Sequence, residues 1–404
     1  MKQLYTVAAI LVTCLTLQAQ ECDQGRYTTE LFTDVTVTSA VVYGSNTGVA
    51  GGNQTLRMDV YEPSGDVLEA RPVVLMAFGG SFIAGSRGDM AELCTRFAKM
   101  GYVAIAPDYR VGFFFPNEAS TTRAVLRGAH DMKACVRFLR KSVAESDNPY
   151  RIDPDRIISG GVSAGAISSI HATYLNELEE TPDVLVSEIA SLGGIEGNSG
   201  SPGYSSEVLA CVSFSGAIGD TAWIQPGDVP LVSVHEVGDG VVPYYTQEVS
   251  VIGIPTGLVA SGSHDIHVRL DNLMAPNCFL SYPTNGHVGY LSSDADNALA
   301  FVAQFCGELV CGMDPTCGEL TTGLTEAPSL NALSVSPNPT NGLIRFHSEH
   351  TGTMVVLDMS GREVMREAVV PGEASMDLRE LPDGVYVLRI AGRPDRSTRV
   401  VVVK

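Results

Sequence analysis

Three side chains far apart in the chain could together cleave an acyl bond. Ser163 sits in Gly161-Val162-Ser163-Ala164-Gly165, a G-x-S-x-G pentad. A serine hydroxyl is a weak nucleophile at neutral pH and needs a neighbouring base to take its proton. Small flanking residues suit a sharp strand-to-helix turn, where the serine takes a strained φ/ψ and larger neighbours would clash. Such a turn lifts Ser163 Oγ above a sheet edge and sets the N–H of Ala164 at a helix N-terminus. A second glycine-rich segment, Phe78-Gly79-Gly80-Ser81-Phe82, follows an apolar run at 73–77. Its N–H groups can turn toward a developing oxyanion, each donor being worth roughly 3 kcal/mol to the transition state. Gly79, Gly80, Ser81 and Ala164 are the candidate donors.

The chain order that goes with such a turn is serine, acid, histidine. Six of the eight histidines precede residue 331. His130 comes before the nucleophile, and His171 lies two turns along the helix that follows it. His235 ends a strand before any suitable acid, and His264 and His267 fall in a helical stretch and are expected to be solvated. His287 closes Pro283-Thr284-Asn285-Gly286-His287 after the apolar run 278–282, where a loop can swing an imidazole over Ser163. It is the candidate base. One strand earlier, the run 231–235 leads into Gly238-Asp239-Gly240-Val241-Val242-Pro243. Asp239 is the candidate acid and Glu236 the alternative. A buried carboxylate there would fix the imidazole tautomer and stabilise the imidazolium formed during acylation.

Positioning these groups requires a sheet. Apolar, β-rich runs at 73–77, 103–106, 156–159, 210–214, 231–235 and 278–282 alternate with helical patterns such as 90–100 and 122–144. That alternation predicts an α/β fold with a mostly parallel sheet flanked by helices, whose chemistry lies at the carboxyl ends of the strands. Residues 313–332 lack periodicity and are rich in Thr, Gly, Pro and Glu, so a linker is expected there. Beyond it, short runs at 354–357, 385–390 and 399–403 are separated by turn signals such as Pro382-Asp383-Gly384. They predict a small all-β, Ig-like sandwich over 333–404.

The stretch 78–82 resembles the His-Gly-Gly-x-Phe loop of α/β-hydrolase carboxylesterases, the hormone-sensitive-lipase-like and type-B groups. Gly85, Pro107-Asp108-Tyr109-Arg110, Ile152-Asp153-Pro154-Asp155-Arg156-Ile157 and the acid loop at 238–243 are similar to the same families. Phe78 departs from the usual histidine, a structural residue in the family, so a different loop packing is implied. The resemblance covers roughly residues 35–305 and implies a cofactor-free serine esterase. It makes Gly80 one oxyanion donor and leaves Gly79 and Ser81 as alternatives for another. The final segment resembles the type A C-terminal sorting domain of type IX secretion. The matching pieces are Ser336-Pro337-Asn338-Pro339 with Gly342, Val356-Leu357-Asp358 with Ser360-Gly361, residues 381–388 and the closing Lys404. That likeness implies passage through the periplasm and then release or surface attachment, with the secretion machinery as a partner.

On the substrate side, Phe113-Phe114-Phe115 is either a buried plug or an apolar pocket wall, and Trp223 and Tyr244 lie on loops bordering the expected site. The Gly/Ser-rich segment 193–206 is a surface loop or a flap. No phosphate-binding G-x-x-x-x-G-K motif or metal triad is legible, so no cofactor or metal is expected. The first 20 residues have a basic start, an apolar stretch and a small residue before a cleavage point, the pattern of a signal peptide. Without them eight cysteines remain, at 22, 94, 135, 211, 278, 306, 311 and 317. Disulfides are expected in an exported chain, with a local staple plausible among Cys306, Cys311 and Cys317.

The chain carries 26 basic and 46 acidic side chains, a net charge of −20. Residues 157–330 hold one basic residue, Arg269, and 20 acidic ones, against 16 and 17 before them and 9 and 9 after them. Such a balance disfavours nucleic acid as a partner and, near a site, repels anionic substrates. No long apolar run beyond the first 20 residues suggests an integral membrane segment. The domain reading is therefore signal peptide 1–20, catalytic domain 21–312, linker 313–332 and sorting domain 333–404. The functional reading is a secreted or surface-attached serine carboxylic-ester hydrolase acting on a small or polymer-linked ester. The alternatives are a peptidase or amidase of the same fold and a catalytically silent surface adhesin.

Overall fold

The structure, a computed structural model, describes Cys22 and residues 25–317, 335–348, 351–358, 362–390 and 393–404. Residues 1–20, where a signal peptide is expected, and residues 318–332 of the expected linker lie outside the described residues. The chain divides into two compact units, Met1–Leu320 and Thr321–Lys404.

The first unit is built on an eight-stranded sheet. Its strands are β1 (Val35–Thr47), β2 (Asn53–Pro63), β3 (Arg71–Ala77), β4 (Val103–Pro107), β5 (Ile152–Val162), β6 (Ala210–Phe214), β8 (Leu231–Glu236) and β11 (Asn277–Tyr282). They are ordered β1-β2-β4-β3-β5-β6-β8-β11. The first two join antiparallel, while every pair from β4 to β11 is parallel. The central strands are buried from end to end, and they read as continuous apolar runs because both faces are covered. Successive residues of β6 and β8 show this directly. Val212 and Val232 join one apolar cluster with Phe97, Val302 and Phe305, while Cys211 and Leu231 join another with Ile170, Tyr174 and Ile266.

The covering helices are α1 (Ala91–Lys99), α2 (Glu118–Glu145), α3 (Ala164–Tyr174), α4 (Ser263–Asn272) and α5 (Ala295–Val310). At the start of α2, the Asn117 side chain accepts the Ser120 N–H at 3.0 Å, satisfying one of the free donors of its first turn. A separate three-stranded sheet is made from β7 (Ala217–Ile218), β9 (Thr246–Val251) and β10 (Ile254–Gly262), in the order β7-β10-β9. The β9–β10 hairpin turns through Ile252 and Gly253, both at positive φ, the twist that suits a two-residue hairpin.

Two disulfides form, Cys22–Cys311 and Cys278–Cys317, and Cys94, Cys135, Cys211 and Cys306 are free and buried. This corrects the local staple expected among Cys306, Cys311 and Cys317. Helix α5 runs through Val310, so Cys306 faces the core. Cys311 falls just past the helix end and reaches the N-terminal segment instead.

The second unit is all β. One sheet orders β12 (Val335–Ser336), β13 (Leu343–Ser348) and β16 (Gly372–Asp377), and the other orders β15 (Glu363–Val369), β14 (Gly352–Leu357), β17 (Gly384–Ile390) and β18 (Arg393–Val402). Alternate residues of these strands, among them Ile344, Phe346, Met354, Val356, Leu388 and Val400, supply the core. The Asn338 carboxamide accepts the Val401 N–H at 2.9 Å, tying the Ser336–Pro339 motif to the last strand.

Candidate active site

Four loops leave neighbouring parallel strands at one edge of the sheet, and each brings one part of the site. Strand β5 ends at Val162 and α3 starts at Ala164, leaving Ser163 alone in the turn with φ 56° and ψ −121°. The two glycines of the pentad are sterically required. A Cβ on Gly161 would lie 2.4 Å from the Gly165 carbonyl carbon, and one on Gly165 would lie 2.1 Å from the Ala77 oxygen.

Beyond β11, His287 places Nε2 2.7 Å from Ser163 Oγ and Nδ1 2.8 Å from Asp239 Oδ2. Beyond β8, Asp239 is 7% exposed, and its Oδ1 accepts the N–H groups of Val241 at 2.8 Å and Val242 at 3.0 Å. His235, fully buried, sets Nε2 3.2 Å from the same Oδ2 and Nδ1 2.8 Å from Ser263 Oγ. Burial pushes the Asp239 carboxyl up, but His235, His287 and the Val241 N–H draw it down further, to well below the usual carboxylate range. The geometry thus brings Ser163, His287 and Asp239 into one hydrogen-bonded line. The alternative acid, Glu236, bonds to Thr284 and Gly289 instead.

The loop after β3 passes against Ser163. A Cβ on Gly79 would stand 3.2 Å from Ser163 Cβ. Gly80 takes φ 116°, and its carbonyl accepts the N–H of Ile83 at 2.9 Å and of Ala84 at 3.2 Å, while Ser81 and Phe82 are also at positive φ. Among the described residues the N–H groups of Gly80, Ser81 and Ala164 meet no protein acceptor. Ser81 and Ala164 line the cavity beside Ser163, whereas Gly79 and Gly80 do not. Phe78 is stacked on Tyr109 with centroids 4.3 Å apart, and the Tyr109 hydroxyl donates to the Phe78 carbonyl at 2.8 Å. An aromatic ring thus fixes the loop where the resembling families have histidine.

Ser163 opens into a cavity of about 570 Å³ with an apolar wall that includes Phe82, Leu126, Ile167, Trp223, Val242 and Leu258. Glu118, Glu179, Glu180, Asp183 and Asp220 also line it, and neither lysine nor arginine does. Among the described residues none of these five carboxylates is ion-paired. His171 forms part of the wall, with its ring edge-on to Trp223 at 5.6 Å. Its Nδ1 bonds the Ile167 carbonyl at 2.8 Å, its Nε2 accepts the Gly219 N–H at 3.2 Å, and burial pushes it down to about 4. It is a neutral surface, not a base.

Trp223 therefore reaches the cavity, but Phe113, Phe114 and Tyr244 do not. The Gly112 N–H donates to the Phe82 carbonyl at 2.6 Å, and the chain then turns outward, leaving Phe114 87% exposed and Phe113 against the main core. Tyr244 packs behind the acid loop, edge-on to His235, with its hydroxyl 2.7 Å from Ser281 Oγ. His267, expected to be solvated, is buried; its ring stacks on Phe279 and its Nδ1 lies 2.6 Å from Asn277 Oδ1. The Gly/Ser-rich segment 193–206 is held on α2. Glu196 pairs with Lys133 at 2.8 Å and Arg137 at 2.9 Å, and Ser199 bonds Asp131. The roles of His235 and His171, and the β9–β10 hairpin that closes one side of the cavity, went unread in the sequence. The hairpin had a usable signal in Ile252-Gly253 between apolar runs, but the two histidines had none. Among the described residues no group of three or more histidine, cysteine or carboxylate side chains is arranged to hold a metal ion. No described helix is long and apolar enough to cross a membrane.

A serine on an elbow at the carboxyl edge of a mostly parallel sheet, followed in chain order by a carboxylate loop and a histidine loop, is the arrangement of an esterase-like α/β-hydrolase fold. Residues 58–220 match the family model described as BD-FAE. Residues 334–404 match the secretion system C-terminal sorting domain, which marks the chain for secretion or cell-surface attachment. No curated protein matches the chain. Solved structures similar to it include a thermophilic esterase, Est2, of the planctomycete Thermogutta terrifontis with propionate bound. That likeness has 19% identity and a TM-score of 0.46, covering 67% of this chain and 92% of that one. The same organism's esterase 2 phosphorylated by paraoxon is 20% identical with a TM-score of 0.44, covering 68% and 93%. A truncated carbohydrate esterase from gut microbiota is 20% identical with a TM-score of 0.49, covering 70% and 98%.

The lowered Asp239 carboxyl makes a signed prediction. A carboxyl whose native pKa is depressed adds stability that is fully present above its unfolded-state value of about 4 and is lost as pH falls through the native value. Denaturant melts should therefore show wild type ahead of Asp239→Asn at neutral pH, with the gap closing as pH falls below about 4. A gap independent of pH would show that Asp239 is not held ionised by its neighbours.

Proposed function

We propose that the protein is an exported serine carboxylic-ester hydrolase that works through an acyl-enzyme on Ser163. The observation carrying this reading is the continuous line Ser163 Oγ to His287 Nε2 and His287 Nδ1 to Asp239 Oδ2, at 2.7 and 2.8 Å. Ser163 Oγ attacks the ester carbonyl while His287 takes the hydroxyl proton. Asp239, ionised and hydrogen-bonded, stabilises the imidazolium that results. Negative charge develops on the carbonyl oxygen and is met by N–H groups of Ala164 and of the Gly79–Ser81 loop. His287 then gives its proton to the leaving alkoxide, releasing the alcohol. His287 takes a proton from a water that attacks the acyl-enzyme, then passes that proton to Ser163 Oγ as the acid is released.

The cavity supports an ester with an apolar acyl or alcohol part and no negative charge. An acyl group on a polysaccharide, such as acetyl or feruloyl, or a short-chain lipid ester would meet that description. The catalytic region is read as 21–312 and the sorting domain as 333–404. Export then proceeds by the signal peptide to the periplasm and by type IX machinery across the outer membrane.

Ser163→Ala should abolish hydrolysis of p-nitrophenyl acetate and butyrate with the melting temperature unchanged; measurable turnover by a folded variant would end the assignment. A hemisuccinate ester should show kcat/KM about 10-fold or more below its neutral isostere at low ionic strength, with the gap narrowing at high salt as the unpaired carboxylates are screened. Equal rates at all salt concentrations would remove the charge argument. Deleting residues 333–404 should keep esterase activity and leave it in the periplasm, as assayed in cell fractions. Activity reaching the medium would overturn the sorting role.

A further inference from the structure

We propose that Glu236 is a positioning residue for the base, a single buried carboxylate that ties down both ends of the turn carrying His287. The inference rests on the reading of His287 as the base for Ser163. Glu236 is the last residue of β8 and is 3% exposed. Its backbone is in register with Tyr282, the last residue of β11, so its side chain leaves the sheet where the His287 turn begins. Oε1 accepts the Thr284 hydroxyl at 2.9 Å, and Oε2 accepts the Gly289 N–H at 3.0 Å. These donors lie three residues before and two residues after His287, so the turn is held on both sides of the imidazole.

The turn is shaped around the carboxylate. A Cβ on Gly286 would approach Oε1 to 2.8 Å, and one on Gly289 to 3.1 Å. Two glycines thus leave room for the carboxylate against the backbone. Among the described residues no cation pairs with Glu236. A buried carboxylate bonded only to neutral donors is costly. A net gain in stability is therefore a poor account of it, and a geometric role is a better one. The gain is alignment. His287 must keep Nε2 on Ser163 Oγ and Nδ1 on Asp239 together, and the turn it sits on has a strained neighbour, Val288, at φ 53°. Without Glu236 the turn can relax, and the base drifts from the nucleophile while the substrate cavity stays as it was.

The test uses the full chain with Glu236→Ala, Glu236→Gln and Thr284→Val. Positioning predicts a fall in kcat of roughly 100-fold for Ala and about 10-fold for Gln, which keeps one acceptor, because a displacement near 1 Å costs on that order. Thr284→Val, which removes one donor from an exposed loop position, should lose several-fold. KM should stay within about twofold in all three. A fluorophosphonate should still label every Ser163, but more slowly, in step with kcat. Two results overturn the proposal: a folded Glu236→Ala with wild-type kcat, or a loss that comes wholly from fewer titratable serines, each turning over normally. If Glu236→Ala fails to fold, Thr284→Val decides, and unchanged kcat there overturns it. Ser163→Ala keeps the two readings apart, since turnover in that variant defeats the serine mechanism itself, whereas a dead Ser163→Ala beside unaffected Glu236 and Thr284 variants defeats only the positioning role.

Discussion

A buried carboxylate that must stay charged is the constraint around which the first unit is arranged. Asp239 is removed from water, which by itself favours the neutral acid. The structure surrounds it with compensation: two backbone N–H groups on one oxygen, His287 on the other, and His235 at 3.2 Å. His235 is in turn held by Ser263 at the head of α4 and flanked by Tyr244. A strand residue, the loop after β8 and the loop after β11 therefore serve one negative charge. The aromatic side chains behind the acid loop contribute to this support and not to the substrate cavity.

The sheet is what lets distant residues meet. Because β3, β5, β6, β8 and β11 are all parallel neighbours, their carboxyl ends fall on one edge. The Gly79–Ser81 loop, Ser163, Asp239 and His287 each follow one of these ends. The elbow also depends on neighbouring backbone, since Gly165 packs so tightly against the Ala77 carbonyl that strand β3 and helix α3 are in contact without a side chain between them. Two close approaches, at Gly161 and Gly165, thus convert a five-residue pattern into a fixed direction for one hydroxyl.

Charge and shape act together around the cavity. Its wall is apolar, contributed by α2, α3 and the β9–β10 hairpin, and its carboxylates are unpaired. Elsewhere in the same unit, buried cations are matched with care. Arg110 is bonded to Asp131, and Lys133 and Arg137 are bonded to Glu196. The two Glu196 pairs fasten segment 193–206 to α2, and no lysine or arginine lines the cavity. The uneven charge along the chain therefore has a spatial counterpart, with the middle section's single arginine, Arg269, bonded to the Ile224 carbonyl instead of facing substrate.

Much of this was legible in the chain because local rules govern it. The pentad around Ser163, the apolar runs of the parallel strands, the glycine before His287 and the turn-separated strands of the second unit each carry their own signal in composition and period. Contacts between segments carry none. No spacing rule foretold that Cys311 would pair with Cys22, that Phe114 would point outward, or that Tyr244 would support the acid from behind. The sequence by itself determined the type of sheet, the elbow and the order of the reacting groups, since these follow from backbone preference and periodicity. Only the tertiary structure decided which carboxylate faces His287 and which one anchors its loop, because Asp239 and Glu236 are three residues apart and alike in chemistry, and only packing sets their directions apart.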